Sequence, residues 1–296
     1  MKKVSKLIKL TTAILLVVGL SACGKSTATT EASPKAEEAA KIEATGVLGE
    51  VLKKGVLTIA TSPDYAPMEF LDDKQQPIGS DMELAKYIAE QLGVELKIET
   101  MDFSGTLTAV DTGKVDLAIS GFGWKEDRAE SYELSIGYNK GENSESACHT
   151  VLVKKEDVAK YPTAESMKGL TIAAQSASLQ EMYVTDQIPE AKLEIVQQID
   201  QGVIALKSGK VQGLALSCDI AKGFANTMDD TAIVEFKFDL SKYEDYAGNV
   251  IVAKKGETDL INKVNEIIKE VNETGKFEVW HKEAKEKAKE LGINFE

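Results

Sequence analysis

The sequence predicts an α/β protein built as two similar lobes with a ligand cleft between them. From Val47 onward, short β-branched or apolar runs alternate with helical patterns, which is typical of parallel strands joined by crossover helices. The series occurs twice, and the phrase AVDTGKVDL (109–117) is similar to ALKSGKVQG (205–213). A cleft between two lobes is a preferred place for a small-molecule ligand.

The elements of the first series follow from short patterns. Residues 56–61 (VLTIAT) predict a strand, and the apolar positions of residues 81–92 recur on one stripe of a helix that ends at Gly93. A strand at 94–99, a helix at 106–111 and a strand at 115–120 complete this series.

The second series begins after an irregular stretch, at residue 150. Its elements are the strands 150–153 and 170–174, the helix 178–185, the strand 193–196, the helix 202–208 and the strand 211–216. The chain ends with a strand at 249–254, a helix at 258–274 and an amphipathic tail that carries Phe277 and Trp280. We expect this tail to pack on the first lobe and its charged residues to form a solvated face.

Composition and charge exclude several classes of protein. The 296 residues are 43% hydrophobic and 28% charged with a net charge of −13, which is typical of a globular protein and unfavourable for nucleic-acid binding. Arg128 is the one arginine among 35 lysine and arginine residues. A guanidinium binds a carboxylate through two parallel hydrogen bonds, so Arg128 is a candidate ligand-binding residue. The alternative is a surface ion pair with Glu126 or Glu130.

The N-terminus predicts export and lipid anchoring. Residues 2–9 are basic, residues 10–20 are mostly apolar, and the phrase LSAC (20–23) resembles the lipobox of bacterial lipoproteins. We expect a signal peptide over 1–22 and acylation of Cys23, with an ordinary signal peptide as the alternative. The small polar residues 23–45 predict a flexible tether, which would hold the folded part at the extracellular face of the cell membrane.

Two cysteines and two histidines remain in the folded part. In an exported protein Cys148 and Cys218 either form a disulfide or are buried separately as small hydrophobic residues. His149 and His281 lack the neighbouring ligands that a metal site requires, so neither a metal nor a cofactor is expected. His149 opens a strand of the second series and is a further candidate for ligand contact.

Several phrases occur in a specific order along residues 52–280. They are GVLTIAT (55–61), YAPMEF (65–70), the helix region 79–93, GKVDLAISG (113–121), DR (127–128) and KGLTI (168–172). Together, behind the lipobox, they resemble the extracellular solute-binding proteins of polar amino acid ABC transporters. The resemblance implies a periplasmic-binding-protein-like fold of type II, in which a two-strand hinge joins the lobes. It also implies a first lobe of residues 46–149 and 249–296 and a second lobe of 150–248.

The resemblance places most of the expected ligand site in the first lobe. Ser120, Gly121 and Gly123 lead to Arg128, at the spacing where the family places the arginine that binds the ligand's α-carboxylate. Glycine lets the main chain approach a ligand closely, so the N–H groups of Gly121 and Gly123 are expected at the same carboxylate. Many relatives carry Thr or Ser at position 123.

Three further first-lobe positions are expected near the ligand side chain or its ammonium group. Tyr65 and Phe103 stand where relatives use an aromatic or apolar wall, the alternative for each being a place in the core. Glu69 either contacts the ammonium or anchors its own loop. Ser62 stands where many relatives have Asp.

The second lobe departs further from the family pattern. Ser178 and Leu179 open a helix whose N-terminus is expected to face the ligand, with Leu179 where Thr is frequent. Ser217 aligns with the acidic residue that pairs with the ammonium, and Asp219 lies two residues later. Either Glu69 and Asp219 replace the missing carboxylates, or the ligand is not a plain α-amino acid. The aromatic walls and reduced acidity suggest an apolar or aromatic amino acid.

These features predict a lipid-anchored, monomeric substrate-binding component of an amino acid importer. Its partners would be the small ligand, an ABC permease and ATPase complex, and the membrane through the lipid anchor. One alternative is a surface sensor or adhesin with secondary solute binding. Another is a dehydratase-type enzyme on the same fold, for which no nucleophile and base pair is evident in the sequence.

Overall fold

Two five-stranded sheets form the framework of the protein, whose computed structural model describes residues 44–140, 148–242 and 248–295. The strands are β1 (Val56–Thr61), β2 (Asp64–Tyr65), β3 (Glu69–Leu71), β4 (Pro77–Ile78), β5 (Glu95–Thr100), β6 (Leu117–Ala118), β7 (Tyr132–Leu134), β8 (His149–Lys154), β9 (Thr171–Gln175), β10 (Lys192–Val196), β11 (Gly213–Ser217), β12 (Thr231–Lys237) and β13 (Val252–Lys254). The helices are α1 (Gly46–Lys54), α2 (Ser80–Leu92), α3 (Phe103–Asp111), α4 (Glu126–Ser131), α5 (Leu179–Gln187), α6 (Ile199–Ser208), α7 (Cys218–Thr227), α8 (Thr258–Thr274) and α9 (Lys276–Glu290). Two short 3₁₀ helices, Lys155–Lys160 and Glu165–Met167, follow β8.

The N-terminal predictions fall almost wholly outside these ranges. The predicted signal peptide, the predicted lipidation site Cys23 and the predicted tether up to residue 43 lie outside the described residues. Within the described ranges, none of the helices combines the length and the apolar character that crossing a membrane requires.

Each sheet mixes parallel and antiparallel strands. The first has the order β5-β1-β6-β13-β7, and the second has the order β10-β9-β11-β8-β12. We call the first sheet with α1–α4, α8, α9 and the small sheet β2-β3-β4 the first lobe, and the second sheet with α5–α7 the second lobe. Because β13 comes from the C-terminal part of the chain and pairs antiparallel with β6 and β7, the first lobe is discontinuous in sequence.

The helices α2, α3, α5, α6 and α8 form where the sequence pattern predicts them, whereas α1 and α4 were not predicted. The apolar stripe of α2 is buried, and Gly93 ends the helix in the left-handed conformation with φ of 69°. Phe277 of α9 packs in the same apolar cluster as Leu57 and Ile59 of β1, so the C-terminal tail packs on the first lobe as expected.

Several elements differ from the prediction. The strands expected at 115–120 and 249–254 shorten to β6 and β13. In the second of these, Asn249 forms only isolated bridges, and the Val250 N–H donates to the Phe122 carbonyl. The helix α7 was not predicted. It begins directly after β11, and no glycine or proline separates the strand from the helix. The lobe boundaries inferred from the resemblance stay a prediction.

The remaining two cysteines form a disulfide, which decides between the two alternatives. Cys148 and Cys218 are bonded with a Cα–Cα distance of 5.4 Å. Cys148 lies just before β8 and Cys218 begins α7, and the adjoining residues His149 and Ser217 are direct antiparallel partners. The disulfide therefore fixes the end of the second sheet that faces the first lobe.

Candidate ligand cavity between the lobes

A small cavity of about 40 Å³ lies between the two lobes. Its lining comes from both: Tyr65, Phe103, Ser120, Gly121, Gly123, Arg128 and Asn249 from the first lobe, and His149, Gln175, Ser178, Leu179 and Gln180 from the second. Such a volume accommodates only a few water molecules. A ligand the size of an amino acid therefore enters only when contacts between the lobes open.

Arg128 is buried in the wall of this cavity, on α4. Its side chain is 2% exposed, and its guanidinium lies 5.0 Å from the centre of the Phe122 ring. One terminal nitrogen donates to the carbonyl of Gly123, and Nη2 donates to the carbonyl of Ala177 in the second lobe at 2.7 Å. Nε has no hydrogen-bond partner within the described ranges.

The surroundings of Arg128 differ from the surface ion pair that the sequence offered as an alternative. Among the described residues no carboxylate forms an ion pair with it, so the surface pair with Glu126 or Glu130 is absent. Burial lowers the pKa of the guanidinium to about 10, and the nearby charge of Asp127 opposes this shift. The group stays cationic at neutral pH, and its Nε is a donor without a partner among the described residues.

The two glycines expected at the ligand carboxylate have different surroundings. Gly121 has φ of 58°, and its N–H already donates to Asp81 at 2.8 Å, so that N–H is not available to a ligand. Gly123 lies against Leu179 of the second lobe: a Cβ at position 123 would be only 2.3 Å from Leu179 Cδ1. Gly123 is therefore required by the close approach of the lobes.

Tyr65, Phe103 and Ser120 line the cavity beside these groups. Tyr65 packs against the apolar clusters of both lobes, and Phe103 packs on Phe122 with a centroid distance of 4.6 Å. Both rings thus combine a place in the cavity wall with a place in the packing. The Ser120 hydroxyl accepts from the N–H of Ser62 and donates to Glu69.

Glu69 lies behind this wall, in a buried carboxyl pair with Asp81. Glu69 Oε1 is 3.2 Å from Ser120 Oγ and 3.5 Å from where a Cβ at Gly121 would be. Burial raises the pKa of Glu69 well above its usual range, and the nearby Asp81 raises it further. Burial also raises the pKa of Asp81 to about 6, and hydrogen bonds from Gly121 N–H and the Tyr138 hydroxyl oppose this shift. Burial beside a second carboxyl group therefore favours the protonated form of Glu69.

The second-lobe predictions divide into two groups. Ser178 is the N-cap of α5, where its Oγ accepts from Glu181 N, and both Ser178 and Leu179 line the cavity. Ser217 is fully buried at the end of β11 and does not line it. Asp219 is also outside the lining, because its carboxylate pairs with Lys285 of α9 at 2.9 Å.

Ser62 and four lining residues complete the surroundings. Ser62 lies behind Ser120, where its hydroxyl donates to Asp64 at 2.9 Å. Gln175, Gln180 and Asn249 line the cavity but were not among the residues predicted to bind the ligand. Gln180 Nε2 lies 3.0 Å from His149 Nδ1. His149, which the sequence marked as a further candidate for ligand contact, also lines the cavity. Gln175 and Gln180 flank Ser178 and Leu179, whose helix was expected to face the ligand. Only the orientation of β9, α5 and the segment before β13 shows that their amides and that of Asn249 line the cavity.

Comparison with known proteins places this architecture in a family. The model of the bacterial extracellular solute-binding proteins, family 3, matches residues 57–284. The chain belongs to this family. The fold is accordingly the two-lobed type II fold of the periplasmic amino acid-binding proteins.

Individual relatives of this solute-binding protein are named for amino acid binding. The arginine-binding extracellular protein ArtP of Bacillus subtilis is 28% identical over 275 residues, which covers 92% of this chain and 95% of ArtP. The substrate-binding protein AbpA of Streptococcus pneumoniae, solved bound to L-arginine, superposes with a TM-score of 0.73 at 31% identity over 83% of this chain and 99% of AbpA. The ancestral amino acid-binding protein AncCDT-1, a precursor of cyclohexadienyl dehydratase, has a TM-score of 0.69 at 25% identity over 80% and 99% of the two chains.

Proposed function

We propose that the protein captures an amino acid for an ABC importer and that Arg128 binds the ligand's α-carboxylate. The observation that carries this proposal is the buried guanidinium in the cavity wall, which has an unused Nε donor and no carboxylate partner among the described residues. Because the guanidinium is already desolvated in the folded protein, an anionic ligand that pairs with it has to offset only its own desolvation.

The ligand we propose is a basic amino acid, with L-arginine as the first choice. The names of ArtP and AbpA support it. The first-lobe wall adds a second argument, because Glu69 and Asp81 are buried directly behind Ser120 and Gly121. A cationic side chain on this wall would favour the ionised form of the pair, and the Tyr65 ring offers a face on which a guanidinium stacks. These points favour a basic ligand over the apolar or aromatic one that the sequence suggested.

Capture requires the lobes to separate and close again. The contacts that open are the hydrogen bond from Arg128 to Ala177 and the packing of Leu179 on Gly123. In our proposal the ligand carboxylate takes the place of the Ala177 carbonyl at Arg128. Ser178 and the N-terminal N–H groups of α5 then complete the anion site from the second lobe.

The cellular setting extends the same proposal. An acylated Cys23 would anchor the monomeric protein to the extracellular face of the membrane, where it delivers its ligand to the permease and ATPase complex. If the protein were a surface sensor or adhesin, it would bind the ligand, but cells lacking the protein would still take the ligand up. An enzyme role, which the link of AncCDT-1 to a dehydratase brings into view, predicts a chemically altered ligand.

The test is thermal melting of the purified protein with each of the twenty amino acids. A ligand at about 100 times its dissociation constant adds roughly 2.7 kcal/mol to the stability of the folded state. In a domain of this size that raises the melting temperature by about 5–10 °C. We expect the largest shift with L-arginine, which should be recovered unchanged after long incubation. The absence of a shift with every amino acid would contradict the proposal.

A further inference from the structure

Asp64 in β2 forms hydrogen bonds that join the two lobes directly. Its Oδ1 accepts from the hydroxyl of Ser62 in the same lobe. Its Oδ2 accepts from two second-lobe donors, the backbone N–H of Ile199 and Nε2 of Gln175, each at 2.9 Å. One carboxylate oxygen of the first lobe is thus bonded entirely to the second lobe.

The partner at Ile199 is the start of α6, which has no cap of its own. The N-cap residue Gln198 makes no side-chain capping hydrogen bond. The first N–H groups of a helix need external acceptors, and a negative charge at this end is stabilised by the helix dipole. Asp64 supplies the acceptor and the negative charge from the opposite lobe. It thus acts as an N-cap of α6 that forms only when the two lobes are in contact.

The second partner of Asp64, Gln175, is itself a cavity residue. Gln175 ends β9 and lines the cavity, and its Nε2 donates to Asp64 and also to the carbonyl of Gln197 at 3.2 Å. Both amide hydrogens are therefore used. The polar atom that remains for a ligand is Oε1, which is a hydrogen-bond acceptor.

We propose that Asp64 is a positioning residue that caps α6 across the cleft and thereby presents Gln175 Oε1 as an acceptor for the ligand's ammonium or guanidinium. The ligand-facing part of this inference rests on the proposed function. It accounts for the serines at positions 62 and 217, because the acceptor comes from an amide held by Asp64 and not from carboxylates at those positions.

The test combines a readout without ligand and one with ligand, both on the full-length chain. The first is the hydrogen-exchange rate of the Ile199 amide measured by NMR, and the second is the affinity for L-arginine measured by calorimetry. The variants are Asp64→Ala, Asp64→Asn and Gln175→Ala. Asp73→Ala is the matched control, since Asp73 is an exposed aspartate of the same lobe.

Each variant has its own expected result. Asp64→Ala speeds exchange of the Ile199 amide and weakens L-arginine binding, each about fivefold, as expected for loss of a helix cap. Asp64→Asn, which keeps an oxygen acceptor but loses the charge, is intermediate in both. Gln175→Ala weakens binding about fivefold, as expected for a lost hydrogen bond, and leaves the Ile199 exchange rate unchanged. Asp73→Ala changes neither.

Two results would overturn the inference separately from the proposed function. An unchanged Ile199 exchange rate in Asp64→Ala overturns the cap, whether or not L-arginine binds. Unchanged affinity in Gln175→Ala overturns the acceptor. Failure of the wild type to bind L-arginine overturns the ligand part together with the proposed function, while the exchange rate still decides the cap.

Discussion

The first-lobe wall of the cavity carries charge, whereas the second-lobe wall is mainly neutral. Arg128 lies in the first wall, with the carboxyl groups of Glu69 and Asp81 directly behind it. The second wall presents amide, hydroxyl and apolar side chains together with His149. In the proposed binding mode, the first lobe therefore recognises the charge of the ligand, and the second lobe supplies hydrogen bonds and shape on closure.

The largest expected effect separates the two walls by ligand affinity. Arg128→Ala should weaken binding of L-arginine by about 2–5 kcal/mol, because one partner of a buried charge pair is removed. Gln180→Ala, in the second wall, should cost only about 0.5–1.5 kcal/mol, the contribution of a neutral hydrogen bond. Calorimetry on both variants measures the difference. Equal losses would break the contrast between the lobes.

The next effect concerns the contact between the two walls. Gly123→Ala places a methyl group 2.3 Å from Leu179 Cδ1, so the closed form is overpacked and affinity should fall by about 1–3 kcal/mol. Leu179→Ala in the same chain should restore most of the loss. The double-mutant cycle measured by calorimetry isolates this contact. Additive losses would show that residues 123 and 179 do not meet in the ligand-bound form.

The smallest effect is a pH dependence confined to the first lobe. The pKa of Asp81 is about 6 in the folded state against 3.8 for an ordinary aspartate, so the folded state binds the proton more tightly. The stabilisation of the folded state that comes from proton binding at Asp81 is therefore fully present below pH 3.8 and is lost as pH rises through 6.

Asp81→Asn provides the measurement for this dependence. The amide oxygen keeps an acceptor for Gly121 N–H and the Tyr138 hydroxyl, but it does not titrate. Between pH 5 and 7.5 the wild type should lose about 1 kcal/mol relative to the variant. That corresponds to about 2–4 °C in melting temperature. A constant difference across this pH range would contradict the buried carboxyl pair.

More of the residues in the first-lobe wall than in the second-lobe wall could be predicted from the sequence. The six first-lobe residues from Tyr65 to Arg128 that line the cavity were all expected there. They lie at strand ends and at the start of α3 and α4, in phrases that fix their order, and the single arginine stood out by composition alone. The hydrogen bond from the Gly121 N–H to Asp81 could not be predicted, because it joins residues 40 positions apart.

The second-lobe wall depends on features that have no local signature. Asp219 was expected at the ligand because it lies two residues after Ser217. It lies instead in α7, which was not predicted, and its carboxylate pairs with Lys285. That Gln175 and Gln180 line the cavity follows only from the orientation of β9 and α5 in the folded protein. The bonds from Asp64 to Ile199 and Gln175 depend on how the lobes meet, which periodicity does not encode.

The central claim is that Arg128 binds the ligand carboxylate, and a cycle that varies both partners tests it most directly. Calorimetry would compare L-arginine with agmatine, which lacks only the carboxylate, on the wild type and on Arg128→Ala. The account predicts that loss of the carboxylate costs the wild type about 2–5 kcal/mol and costs Arg128→Ala much less. Equal discrimination between the two ligands by both proteins would contradict it.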